Sequence, residues 1–135
     1  MNDEAMAQFM AMMPFAELLG IELERAGAEE VVGRMRWREE LCTAGGVMHG
    51  GALMALADTI GAVCAFLNLP PGANTATISS STNMLRAVRQ GEVAATARPL
   101  HAGRSVIAVQ TELRDERGRL VAQVSQAQAV LASAD

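Results

Sequence analysis

The sequence predicts an α+β fold, an antiparallel sheet wrapped around one long central helix. Three observations lead there. Gly50 to Leu67 is long, rich in Ala, Leu and Met, and almost free of charge, as a buried helix is. Four strand-like runs follow it, separated by short turns that carry Gly or charge clusters. Half of the 135 residues are apolar and only 19% are charged, which is enough apolar side chain to pack a core in one domain spanning residues 1–135.

The elements follow in order. Asp3 to Met13 reads as a short helix, with acids in its first turn, Ala and Met throughout, and Pro14 ending it. Leu18 to Arg25 and Glu30 to Arg38 read as two strands joined by a turn at Gly27-Ala28. Val31, Val32, Met35 and Trp37 supply the apolar side of the second strand. Leu41 to Gly46 is a loop of small residues. The Gly50–Leu67 helix stops at Pro70-Pro71-Gly72. Strands are then predicted at Ala76–Leu85, Gly91–Leu100, Ser105–Arg114 and Leu120–Leu131. Their separators are Arg89-Gln90-Gly91, Ala102-Gly103-Arg104 and Asp115-Glu116-Arg117-Gly118, each in the style of a hairpin turn.

Composition narrows the function classes. The net charge is -4 and no basic run is present, which argues against nucleic acid as a partner. One Trp, three Phe and no Tyr leave few platforms for stacking bases. Nine Met residues suit an adaptable pocket or interface. Cys42 and Cys64 form no CxxC pair, and with two His a zinc site is not expected. Two packed, reduced thiols fit a cytoplasmic protein. The acidic start MNDEAMAQFM does not fit a signal peptide, and the apolar stretch Gly50–Leu69 is interrupted by Asp58, so no membrane span is expected.

Two features point to chemistry. Asp58 is the only Asp, Glu, Lys or Arg between Glu40 and Arg86, and it lies on the apolar helix. A carboxylate there is costly to desolvate unless it is partnered or functional, and burial would make it a base or nucleophile. A solvated helix face is the ordinary alternative. The second feature is His49-Gly50-Gly51, at the start of the same helix. Glycines admit close backbone approach, and the N–H groups of a helix start suit an oxygen that gains negative charge. Eight residues of helix separate Gly50 from Asp58 by ~12 Å along the axis. One acyl carbon cannot easily touch both, so a shared reaction implies Gly50 of one chain and Asp58 of another. This predicts a homodimer with active sites at its interface.

The run Gly46 to Asp58, GVMHGGALMALAD, resembles the signature of hotdog-fold thioesterases of the phenylacetic-acid-degradation (PaaI) type. Met13 to Ile21 resembles the approach to that family's first strand, and Thr82 to Arg86 its strand after the helix. Gly103-Arg104-Ser105 and Asp115 to Ala122 resemble its closing hairpin. The resemblance implies a hotdog fold and hydrolysis of an acyl-CoA thioester with no metal or bound cofactor. It places Asp58 as nucleophile or general base, Gly50 N–H on the thioester carbonyl, and His49 beside them to orient the thioester. It puts Thr43, Gly51, Ala62 and Met84 around the substrate. Arg86, Gly103, Arg104 and Ser105 would hold the CoA phosphates, a task suited to the arginine fork. A dimer or tetramer is implied.

Two positions depart from the family. Thr43 stands where many relatives have Asn or Gln, and Ala62 where they often have Ser or Thr. These changes are expected to slow hydrolysis, shift the substrate or mark a non-hydrolytic acyl-CoA-binding protein. A hotdog enoyl-CoA hydratase is a separate alternative, needing a His with an acid placed to move a proton on the acyl chain, and the spacing from His49-Gly50-Gly51 to Asp58 favours the thioesterase over it. Ala, Leu and Met around the site favour a short, medium-chain or aromatic acyl group.

Overall fold

The computed structural model describes residues 1–132. Helix α1 spans Asp3–Ala11 and is capped by Asn2, whose Oδ1 accepts the Ala5 N–H at 2.8 Å. Its Met6 and Met10 lie one turn apart and are buried, while Met12 beyond it is exposed. A second helix, α2, spans Pro14–Leu19. The strand expected from Leu18 therefore begins only at Glu22. Pro14 does not merely close the first helix. Its fixed φ suits the first position of α2, and Gly20 ends that helix in the left-handed region at φ 74°.

Strands β1 (Glu22–Ala26) and β2 (Val31–Arg36) form a hairpin, closed where Gly27 N–H meets Glu30 C=O at 3.0 Å. Two short 3-10 turns, Glu39–Leu41 and Ala44–Gly46, lead to the central helix α3 (Gly50–Phe66). Then come β3 (Asn74–Met84), β4 (Glu92–Ala102), β5 (Val106–Arg114) and β6 (Leu120–Leu131). One six-stranded antiparallel sheet results, in the order β1-β2-β4-β5-β6-β3. The turns at 102–104 and 115–118 do make hairpins, β4–β5 and β5–β6. Arg89-Gln90-Gly91 does not. It ends a connection that carries the chain from β3 past β6 and β5 to β4, because β3 finds its partner in the last strand.

Helix α3 packs on one face of the sheet, touching β2 through β6. Leu56, Ala57, Ile60 and Cys64 are fully buried against Val31, Met35, Val93, Val109 and Leu113. Strand β2 comes close enough to the helix that a Cβ on Gly33 would collide with Ile60. The expectation of a helix buried all round does not hold. Gly51, Met54, Asp58 and Phe66 form an exposed stripe, with Ala62 half-buried between the last two.

The two sheet edges differ. Helix α1 packs beside β1, and Phe9 meets Phe66 of α3 at 5.5 Å between ring centroids. Strand β3, at the other edge, is bare: of its eleven residues only Thr75 and Thr82 escape full exposure. No helix among the described residues is long and apolar enough to cross a membrane.

Candidate active site

The start of α3 is built by His49. Its backbone is extended (φ -61°, ψ 136°), and its Nδ1 accepts the Gly51 N–H at 2.7 Å. An accepting Nδ1 carries no proton, so the neutral ring holds its proton on Nε2. His49 C=O takes the N–H groups of Ala52 and Leu53. Of the four N–H groups in this first turn, only that of Gly50 meets no acceptor among the described residues. Gly51, expected near the substrate, has its N–H committed to His49. A Cβ on Gly50 would lie 3.3 Å from Met84 Cε, so Met84 covers this end of the helix.

Thr43 sits in the loop that feeds His49. Its N–H meets Val47 C=O at 2.8 Å, and the adjoining Cys42 and Met48 pair as an isolated bridge. The loop after β3 joins the same corner, since Met48 N–H donates to Val88 C=O at 2.8 Å. Thr43, His49, Gly50 and Met84 thus lie about the start of α3, and Arg86 follows Met84 by two residues in the adjoining loop.

Asp58 lies two turns along. It is exposed rather than buried, and its Oδ1 accepts Gln126 Nε2–H at 2.9 Å. Ala62 is one turn further on the same stripe. Gln126 has no place in the sequence reading. Its signal was available: Val124, Gln126 and Gln128 stand at every second position on the inward face of β6. A polar Gln123 and the apolar Ala127 and Ala129 on the other face blur that alternation. The burial of both Gln is clear only in the fold.

The expected phosphate-binding residues do not meet within one chain. Arg86 joins Arg89, Arg117 and Arg119 around a groove of 510 Å³ between the β3–β4 connection and the β5–β6 turn. Asp115 there loses some hydration, which pushes its carboxyl up. Hydrogen bonds from the Arg119 and Arg117 N–H groups and from the Arg119 guanidinium outweigh this and hold it below the ordinary carboxylate range. Gly103, Arg104 and Ser105 form the β4–β5 turn, pinned by Gly103 N–H to Val106 C=O at 2.9 Å and Val130 N–H to Ser105 C=O at 2.9 Å. That turn is at the opposite end of β5, ~30 Å away for a strand of this length.

A groove of 540 Å³ opens between α1 and β1, over Met6, Met10 and Ile21, and contains none of the expected site residues. No group of three His, Cys, Asp or Glu side chains is placed to hold a metal among the described residues.

Residues 45–122 match the family model described as the thioesterase superfamily. The proofreading thioesterase EntH of Cronobacter turicensis is 35% identical over 103 residues, 76% of this chain and 75% of that protein. A thioesterase from Haemophilus influenzae superposes with a TM-score of 0.93 at 29% identity, covering 100% of this chain and 94% of that one. A mutant of the phenylacetic acid degradation protein PaaI from Thermus thermophilus superposes with a TM-score of 0.81 at 27% identity, covering 87% of this chain and 99% of that one. With more than half its length inside the family model, the chain belongs to the thioesterase superfamily, as a hotdog-fold thioester hydrolase of PaaI-like type.

Proposed function

We propose that the chain hydrolyses an acyl-CoA, with a short, medium-chain or aromatic acyl group, to the free acid and CoA. The observation that carries this is the unengaged Gly50 N–H at the start of a helix whose open stripe also bears Asp58. The Gly50 N–H and the positive end of α3 stabilise the carbonyl oxygen as it gains charge. His49 Nε2–H is a second donor at that corner. Asp58 attacks the carbonyl carbon as nucleophile, or takes a proton from the water that attacks it. The C–S bond then breaks, CoA leaves as thiolate, and the thiolate takes up a proton. In the nucleophilic route water cleaves the acyl–Asp58 anhydride afterwards. Both routes consume one water and need no metal or bound cofactor.

The site is composite in this reading. Gly50 N–H points away from Asp58 of its own chain, and ~12 Å of helix separates them. The bare β3 edge supplies the second chain, since an unpaired strand edge is a template for another. Two β3 strands paired antiparallel about a two-fold bring the Met84 end of one beside the Asn74 end of the other. Gly50, His49 and Arg86 of one protomer then face Asp58, Arg104 and Ser105 of its partner. The two arginine groups that stand ~30 Å apart in one chain converge on one set of phosphates. Two such dimers joining through the outer faces of their sheets make a tetramer.

The test is thiol release from a panel of acyl-CoAs by wild type and Asp58→Ala. Turnover that falls on the order of 10²-fold or more in the variant is expected for loss of a catalytic carboxylate. Turnover that survives Asp58→Ala contradicts the site assignment. Tight acyl-CoA binding without turnover by wild type points to a binding protein.

A further inference from the structure

We infer that Gln126 is a positioning residue for Asp58, seated in a notch that Gly61 leaves in α3, and that it selects Asp58 Oδ2 as the reacting oxygen. The inference rests on the reading of Asp58 as the reacting carboxylate.

Gln126 projects from β6 under the helix and is only 4% exposed. Its Nε2 donates to Asp58 Oδ1 at 2.9 Å. The amide orientation follows from its partner: an ionised carboxylate only accepts, so the nitrogen must face it. Among the described residues no hydrogen bond reaches Oδ2. One oxygen is therefore held and the other is left toward the open stripe.

The notch explains how a polar amide reaches this place. The inward face of α3 carries Leu53, Leu56, Ala57, Ile60, Val63 and Cys64, and Gly61 alone among them has no side chain. Glycine is a poor helix residue, so its presence mid-helix calls for a packing reason. A Cβ on Gly61 would run into Gln126 Oε1. Any larger residue there expels the amide and releases Asp58. The same point lies 3.5 Å from Thr111 Oγ1 on β5, so that buried hydroxyl borders the notch as well. Gln126 Oε1 and Thr111 Oγ1 are both buried without a protein partner. A buried amide with an unmet oxygen is costly where it serves packing alone, and an apolar side chain would fill the slot better. Its remaining asset is the N–H on Asp58.

The experiment compares Gln126→Glu and Gln126→Met with wild type, each alone and with Asp58→Asn, by kcat and KM for the best acyl-CoA. Glu has the shape of Gln but presents a second carboxyl to Asp58, while Met fills the slot without a donor. The expected order of kcat is wild type, then Met, then Glu, with Glu down about 10-fold or more and KM within about twofold. In the Asp58→Asn background the Gln126 substitutions cause no further loss. A Gln126→Glu protein with wild-type kcat overturns the inference, because a packing role tolerates the isostere. Equal losses with and without Asp58 overturn it too. Should Gln126→Glu fail to fold, Gly61→Ala puts the same question, since its methyl displaces the amide while Gln126 remains; full kcat there overturns the inference. Asp58→Asn with wild-type kcat overturns the reading of Asp58 itself. An inactive Asp58→Asn beside a fully active Gln126→Glu overturns only the role of Gln126.

Discussion

His49 caps the helix and, in the proposed mechanism, serves the site from the same position. Its Nδ1 caps Gly51 N–H, and the same bond fixes the ring proton on Nε2. Capping Gly51 leaves Gly50 as the donor without an acceptor, and that donor can be deleted without breaking the helix. Proline is favoured at the first helical position, and His49 already has the extended backbone that a residue before proline requires. Gly50→Pro should therefore fold and melt close to wild type while kcat falls by ~10²–10³, the loss of one oxyanion donor. Gly50→Ala keeps the N–H and should retain most activity, at the cost of moving the Met84 methyl slightly. Melting curves and steady-state rates for the two variants check this. A different residue governs stability at high pH. Burial pushes the Cys64 thiol up to about 11 from 9.0. The unfolded chain loses this proton at lower pH than the folded one. The contribution is thus fully present below about pH 9 and lost as pH rises toward about 11, and is worth at most about 3 kcal/mol. Urea unfolding at pH 8 and pH 10.5 should show wild type losing more stability than Cys64→Ala. The lone Asp58 and the His-Gly-Gly run were legible in the sequence because both break an apolar background. Gln126 was not, since its partner lies 68 positions away in the chain and only the pairing of β6 under α3 brings them together.

At the scale of elements, the central helix and the last two hairpins could be read directly, because Gly and charge clusters punctuate long periodic runs. Two things could not. Pro14-Phe-Ala-Glu-Leu-Leu is too short to show a period, and its Leu pair looks like a strand start. The pairing of β3 with β6 rather than β4 is a long-range choice that no local turn encodes. That choice leaves β3 at the sheet edge with Ile78 and Met84 exposed, next to the open stripe of α3. A lysine on such an edge blocks strand addition. Ile78→Lys should keep the circular dichroism of the wild type, halve the mass measured by sedimentation, and abolish thioesterase activity. A variant of halved mass with full activity would place the whole site within one chain.

For the whole molecule, the distribution of charge bears on the proposed dimer. The chain carries net charge -4, yet Arg86, Arg89, Arg117 and Arg119 line one end of the sheet and Arg104 marks the other. The proposed two-fold pairing would bring these ends together, and the same pairing would bring Gly50 to Asp58. That union is the central claim, and mixing two inactive variants tests it most directly. Gly50→Pro and Asp58→Asn subunits, unfolded together and refolded at equal concentration, give half mixed dimers. Each mixed dimer holds one site with both lesions and one with neither, so about a quarter of wild-type activity should return. Mixed dimers that form and stay inactive would contradict the composite site.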